Sequence, residues 1–92
     1  MLADSFYKGA FNGQENPRVT VFGVRLSTRA GQVLRLLAEG LSNSEIAKRL
    51  GIGEKGVKWH VTQIYQTKEL MRLKINTRTK LVRHCYEVSN DT

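Results

Sequence analysis

With a single cysteine, a single proline and no long apolar run, the sequence excludes several classes of protein at once. Cys85 has no second thiol to pair with, so no internal disulfide can form, and a reducing cytoplasm is the expected setting. One Cys and two His at these spacings assemble no zinc site, and no metal or other cofactor is expected. No stretch approaches the ~18 apolar residues of a membrane span. The opening MLADSFYKGAFNGQENPR lacks the basic start and apolar run of an export signal. A soluble, unexported protein without a membrane partner is expected. Also missing are a nucleophile paired with a base, a carboxylate cluster and a phosphate-cradling glycine loop, so an enzyme finds no support. Acidic residues are few: 8 Asp+Glu against 15 Lys+Arg leave a net charge of +7 and a pI near 10.0. That balance favours a polyanionic partner.

What is present is the composition of one ordinary folded domain, 92 residues with 40% hydrophobic and 25% charged. Residues 1–25 carry Gly9, Gly13, Gly23 and Pro17 without any helical apolar period and read as an irregular N-terminal arm. Within it Val19–Val21 is a candidate extended segment, and Phe6, Tyr7, Phe11 and Phe22 are candidates to dock on the helical body. From 26 to 92 the signals are helical, and the fold class is all-α. Ser27 is a good N-cap, and Val33, Leu34, Leu37 and Leu41 follow at helical spacing to a stop at Gly40, giving a helix over about 28–39. Ser42-Asn-Ser-Glu45 is a capping box opening a second helix, with Ile46, Ala47 and Leu50 inward and Gly51 as its left-handed end.

A third helix begins near Glu54. At about 100° per residue Val57, His60, Val61 and Ile64 share one face, while Lys55, Trp59, Thr62 and Gln66 take the opposite one, flanked by Lys58 and Gln63. Continued straight, this helix would bury Lys68 and expose Leu70 and Leu73, so a bend or stop is expected between Thr67 and Lys74. A last helix fits Thr77 to Ser89, with Leu81, Val82, Cys85 and Val88 as its apolar stripe. His60, on the apolar face of its helix, reads as a satisfied, partly buried histidine.

A short helix, the turn Gly51-Ile52-Gly53 and a second helix with a polar, basic outer face describe a helix-turn-helix. The charge distribution agrees. From Lys48 to Arg83 a run of basic residues is opposed only by Glu54 and Glu69. A purely structural helical pair is the alternative, and this charge layout disfavours it.

The residues Leu26-Ser-Thr-Arg29, Val33-Leu34, Ala38-Glu-Gly40, the run GLSNSEIAKRLGI and the subsequent VKWHV resemble the LuxR/NarL/FixJ-type (GerE-like) DNA-binding domain over about residues 26–88. The resemblance implies a four-helix domain that binds double-stranded DNA as a homodimer through its last helix. It departs from the family pattern at Ala30, where glutamate is usual, and at Gly53 and Gly56, which replace a serine and a threonine. The stretch between Ile64 and Ile75 is several residues longer, which bears on dimer geometry.

Lys58, Trp59 and Thr62 match family positions that enter the major groove and, with Gln63, are the expected base-reading residues. For Trp59 the alternative is that it covers a neighbouring element. Ser42, Ser44, Lys48, Lys55, Lys68 and Arg78 are expected at the DNA backbone. Leu81, Val82, Cys85 and Val88 are the expected dimer contact. The leading expectation is a sequence-specific transcription regulator, free-standing because no sensing domain precedes Leu26. Its alternative is an interaction module or adaptor, similar to sigma-factor region four, that docks on RNA polymerase or another regulator.

Overall fold

The computed structural model describes residues 18–89; the expectations placed on Phe6, Tyr7, Phe11 and Pro17 lie outside them. The described chain is mostly helical, as the sequence pattern requires. It runs β1 (Arg18–Val21), β2 (Val24–Ser27), α1 (Thr28–Ala38), α2 (Asn43–Leu50), α3 (Glu54–Tyr65), α4 (Lys68–Arg72) and α5 (Arg78–Ser89).

Two elements differ from the sequence expectation. The first is that the expected arm is not irregular over its described part: the extended segment expected at Val19–Val21 lies in β1, which pairs with β2 in an antiparallel hairpin with Val19 opposite Leu26 and Val21 opposite Val24. Alternation puts Val21, Val24 and Leu26 inward, all but fully buried, while Thr20 and Arg25 face out. The two-residue turn Phe22-Gly23 has φ of 52° and 79°, the double left-handed geometry that matches the twist of paired strands. For Phe22 that backbone costs on the order of 1 kcal/mol, offset by its half-buried ring and by a hydrogen bond between its carbonyl and His84 Nε2 at 3.1 Å. The hairpin lies on α1 at Gly31, where a Cβ would come within 2.9 Å of Val19 Cγ2 and 3.1 Å of Val21 Cγ2. Only glycine permits that approach.

The second is α4. The third helix stops at Gln66 because Thr67 adopts extended backbone (φ −67°, ψ 151°), and its hydroxyl turns back to donate to the Ile64 carbonyl at 2.8 Å. This break shifts the helical phase of residues 68–72. Leu70 becomes fully buried against the hairpin side and Lys68 is exposed, while Met71 and Leu73 stay in solvent. Lys74, at φ 59°, closes α4, and the Ile75 N–H donates to the Leu70 carbonyl at 2.9 Å.

Elsewhere the local signals act as read. The Ser27 hydroxyl caps α1 by accepting from the Ala30 N–H at 3.2 Å. The Ser42 capping box is complete: the Glu45 N–H donates to Oγ at 3.2 Å and the Ser42 N–H donates to the Glu45 carboxylate at 2.8 Å. Gly51 ends α2 at φ 69°. The core joins Val24, Val33, Leu34, Leu37, Ile46, Val57, Ile64, Leu70, Leu81 and Cys85, each essentially without solvent. Each large aliphatic so buried contributes roughly 1.5–3 kcal/mol. Because α1 packs on α3, α5 and the hairpin, it is the central helix that fixes the outer face of α3.

Candidate nucleic-acid interface

Helix α2, the turn 51–53 and α3 form one rigid corner. Ile46 and Val57 are sealed inside it and Ala47 is buried at the crossing, its small side chain permitting close approach of the two helices. The Ile52 N–H donates to the Ala47 carbonyl at 3.0 Å, which ties the turn to the helix before it. With Val57 and Ile64 fixed inward, helical geometry sends Lys55, Lys58, Trp59, Thr62 and Gln63 to solvent, and all five are exposed. Trp59 is 60% exposed; within α3 its ring meets the edge of His60, centroids 5.1 Å apart and planes at 77°. The Thr62 hydroxyl donates to the Lys58 carbonyl at 3.0 Å.

Ser42, Ser44 and Lys48 are exposed at the start and outer side of α2, and Lys68 is exposed at the start of α4. Ser42 already serves as a cap. Its backbone N–H and then its side chain, with Lys48 and Arg49 adding, hold the Glu45 carboxyl below the usual range. The acid therefore stays ionised while it completes the box.

Three expected roles need correction. Arg78 is not an outward phosphate ligand: its guanidinium donates to Asn43 Oδ1 and to the Leu41 carbonyl, both at 2.8 Å, and so clamps the start of α5 to the start of α2. Leu81 and Cys85 are 0% and 1% exposed, consumed by the chain's own core, and cannot form a dimer surface. Of that stripe only Val82 and Val88 reach the surface, each half-buried, and Tyr86, 69% exposed, lies one turn beyond Val82. Its i+4 spacing from Val82 is the sequence signal that could have found it. Finally, His60 is partly buried but not satisfied, since its Nδ1 is enclosed without a hydrogen-bond partner. Desolvation, with Arg29 adding, holds its pKa below the usual value and keeps the ring neutral.

A groove of about 800 Å³ runs between the hairpin turn, the end of α1 and α5, lined among others by Phe22, Arg35, Val82, Arg83 and Tyr86. Among the described residues no His, Cys, Asp and Glu side chains gather as a metal site, and no helix is long and apolar enough to cross a membrane.

Against known proteins, residues 24–85 match the family described as bacterial regulatory proteins, luxR family. The two-component response regulator PprB of Pseudomonas aeruginosa is 40% identical over 68 residues, 74% of this chain and 22% of that protein. The transcriptional activator protein CarR of Pectobacterium carotovorum is 38% identical over 55 residues, 60% of this chain and 22% of that protein. The chain thus spans about a fifth of the length of these relatives. No solved structure matches.

Proposed function

The chain belongs to the luxR family of bacterial regulatory proteins, and from that premise we propose that it is a sequence-specific, double-stranded-DNA-binding transcription regulator that lays α3 in the major groove. One observation carries the reading. The apolar side of α3 is locked into the core while its basic outer side, with a Trp 60% exposed, has no covering element among the described residues. In this reading Lys58, Trp59, Thr62 and Gln63 face base edges. Ser42, Ser44, Lys48, Lys55 and Lys68 hold phosphates on either side, and residues 18–89 act as the DNA-binding unit. Arg78 supports them indirectly by fixing the start of α2. Nothing in the interface calls for catalysis.

The test is a titration of the purified chain with duplex DNA in the absence of RNA polymerase. A protein neutralising about six phosphates loses on the order of a thousandfold in affinity between 50 and 200 mM salt. A flat salt response would reject the basic-face reading, and DNA binding that appears only with polymerase present would favour an interaction module instead.

Homodimerisation on DNA is proposed through α5, carried by the surface residues Val82, Tyr86 and Val88. Exposed Tyr86 beside half-buried Val82 leaves apolar area at the edge of the groove that a second copy would cover. Val82→Asp then lowers the mass of the DNA complex in sedimentation by one chain of 10.4 kDa, whereas an unchanged mass removes α5 as the contact.

A further inference from the structure

We infer that the outer face of α3 recognises the 5-methyl group of a pyrimidine through Trp59 and Thr62, an inference that rests on the DNA-binding reading above. Base edges in the major groove present hydrogen-bond donors and acceptors, and the methyl group at C5 of thymine is the one apolar feature among the four ordinary bases. The middle of the α3 face is correspondingly apolar. Trp59 stands 60% exposed and is braced edge-on by His60 of its own helix. A ring so placed is left uncovered by the described residues, and its indole body is open to an apolar partner.

Thr62, three residues on, lies on the same side of the helix. Its hydroxyl proton is already engaged, donating to the Lys58 carbonyl at 3.0 Å. A threonine whose only proton is spent on its own helix has none to donate to a base edge, and its methyl group is the feature left for a thymine methyl to meet. Trp59 and Thr62 thus share one exposed face of α3 with Lys58 and Gln63, and indole and methyl there supply an apolar seat between polar readers. A 5-methylpyrimidine, either thymine or 5-methylcytosine, has the chemistry to fill it.

The test begins by selecting a preferred duplex from a random library with the 92-residue chain. Each thymine of that duplex is then replaced singly by deoxyuridine, which removes only the methyl group. At the positions under α3, binding weakens about fourfold, the equivalent of one methyl withdrawn from apolar contact. Placing cytosine or 5-methylcytosine at the same positions distinguishes the sources. Tighter binding of the methylated base supports recognition of either pyrimidine, and equal binding with the deoxyuridine loss intact supports thymine alone.

Thr62→Ser keeps the hydroxyl and loses the methyl, so it abolishes the deoxyuridine effect at one position, while Thr62→Val retains it. Trp59→Ala abolishes the effect at the neighbouring position and leaves the salt slope unchanged. Deoxyuridine that is neutral at every position, or a discrimination that survives both Trp59→Ala and Thr62→Ser, overturns the inference while DNA binding stands. A chain that binds no duplex even at low salt overturns both.

Discussion

At the scale of single residues, the fold controls the protonation of two groups, the partly buried His60 and the fully buried Cys85. His60 carries an enclosed, unpartnered Nδ1, and desolvation lowers its pKa in the folded chain from the ordinary 6.5. The unfolded chain therefore takes up a proton on acidification before the folded one does, and stability must fall as pH drops below about 6.5 until the folded pKa is passed. Denaturant midpoints across that window should show the decline, and His60→Gln should flatten it; a wild-type profile flat from pH 7 to 5 would contradict the assignment. Cys85 is sealed on the inner face of α5 with its thiol pushed up to about 11 by burial. A chromogenic disulfide reagent at pH 8 is expected to leave it unmodified in the native chain and to titrate it fully once denaturant is added. Rapid modification of the native protein would return Cys85 to the surface and to the dimer contact. The partial burial of His60 is legible in the sequence, but its unpartnered Nδ1 and the depth at which Cys85 lies are not. A helix wheel gives the face a residue occupies but not how deeply the neighbouring elements cover it, which is why Leu81 and Cys85 fall into one stripe with the surface residue Val82.

At the scale of elements, the recognition helix begins softly. Gly53 caps α3 without a side-chain hydrogen bond, and Gly56 sits in its first turn in ordinary helical backbone, with room for a Cβ 3.7 Å from Ile52 Cδ1. Gly56→Ala should stabilise the domain by about 1 kcal/mol, raising Tm by roughly 4–8 °C. Gly31→Ala, by contrast, drives a methyl into Val19 and Val21 and should lower Tm by lifting the hairpin from α1. Calorimetry of the two variants checks both signs, and stabilisation by Gly31→Ala would show that the hairpin does not pack there. The helices themselves are legible in the sequence because their signals are local: the Ser42 to Glu45 box, the Gly51 stop and the 3.6-residue period each act within a few positions. The hairpin is only half legible. Phe22 occupies a left-handed turn position usually given to Asn, Asp or Gly, so the expected turn signature is absent. The phase break after Ile64 announces a stop, but five residues carry too little periodicity to announce α4. The Arg78 clamp is invisible for another reason: it joins positions 35 and 37 residues apart, and a wheel sees only neighbours.

At the scale of the whole molecule, the parts of the interface divide by how they are held. Lys58, Trp59, Thr62 and Gln63 stand on a helix anchored by Val57 and Ile64, and their outward placement is readable directly from the sequence period because the inner face is strictly apolar at those anchors. Of the phosphate-side residues, Lys55 stands on α3 itself, those at α2 are placed by its packing on α1 and α3 and by the Arg78 clamp, and Lys68 is placed by the packing of α4 on α3 and β2. Reading and holding should therefore separate on mutation. Lys55→Ala and Lys48→Ala remove charge alone and should weaken all duplexes alike. The most direct measurement of the central claim is the affinity of wild type and Lys58→Ala for a selected duplex and for an unrelated duplex at one fixed salt concentration. With α3 as the reader, Lys58→Ala loses about 1–3 kcal/mol on the selected duplex and relaxes base preference at one defined position, while unrelated DNA is far less affected. An equal loss on both duplexes with the preferred sequence unchanged would contradict it.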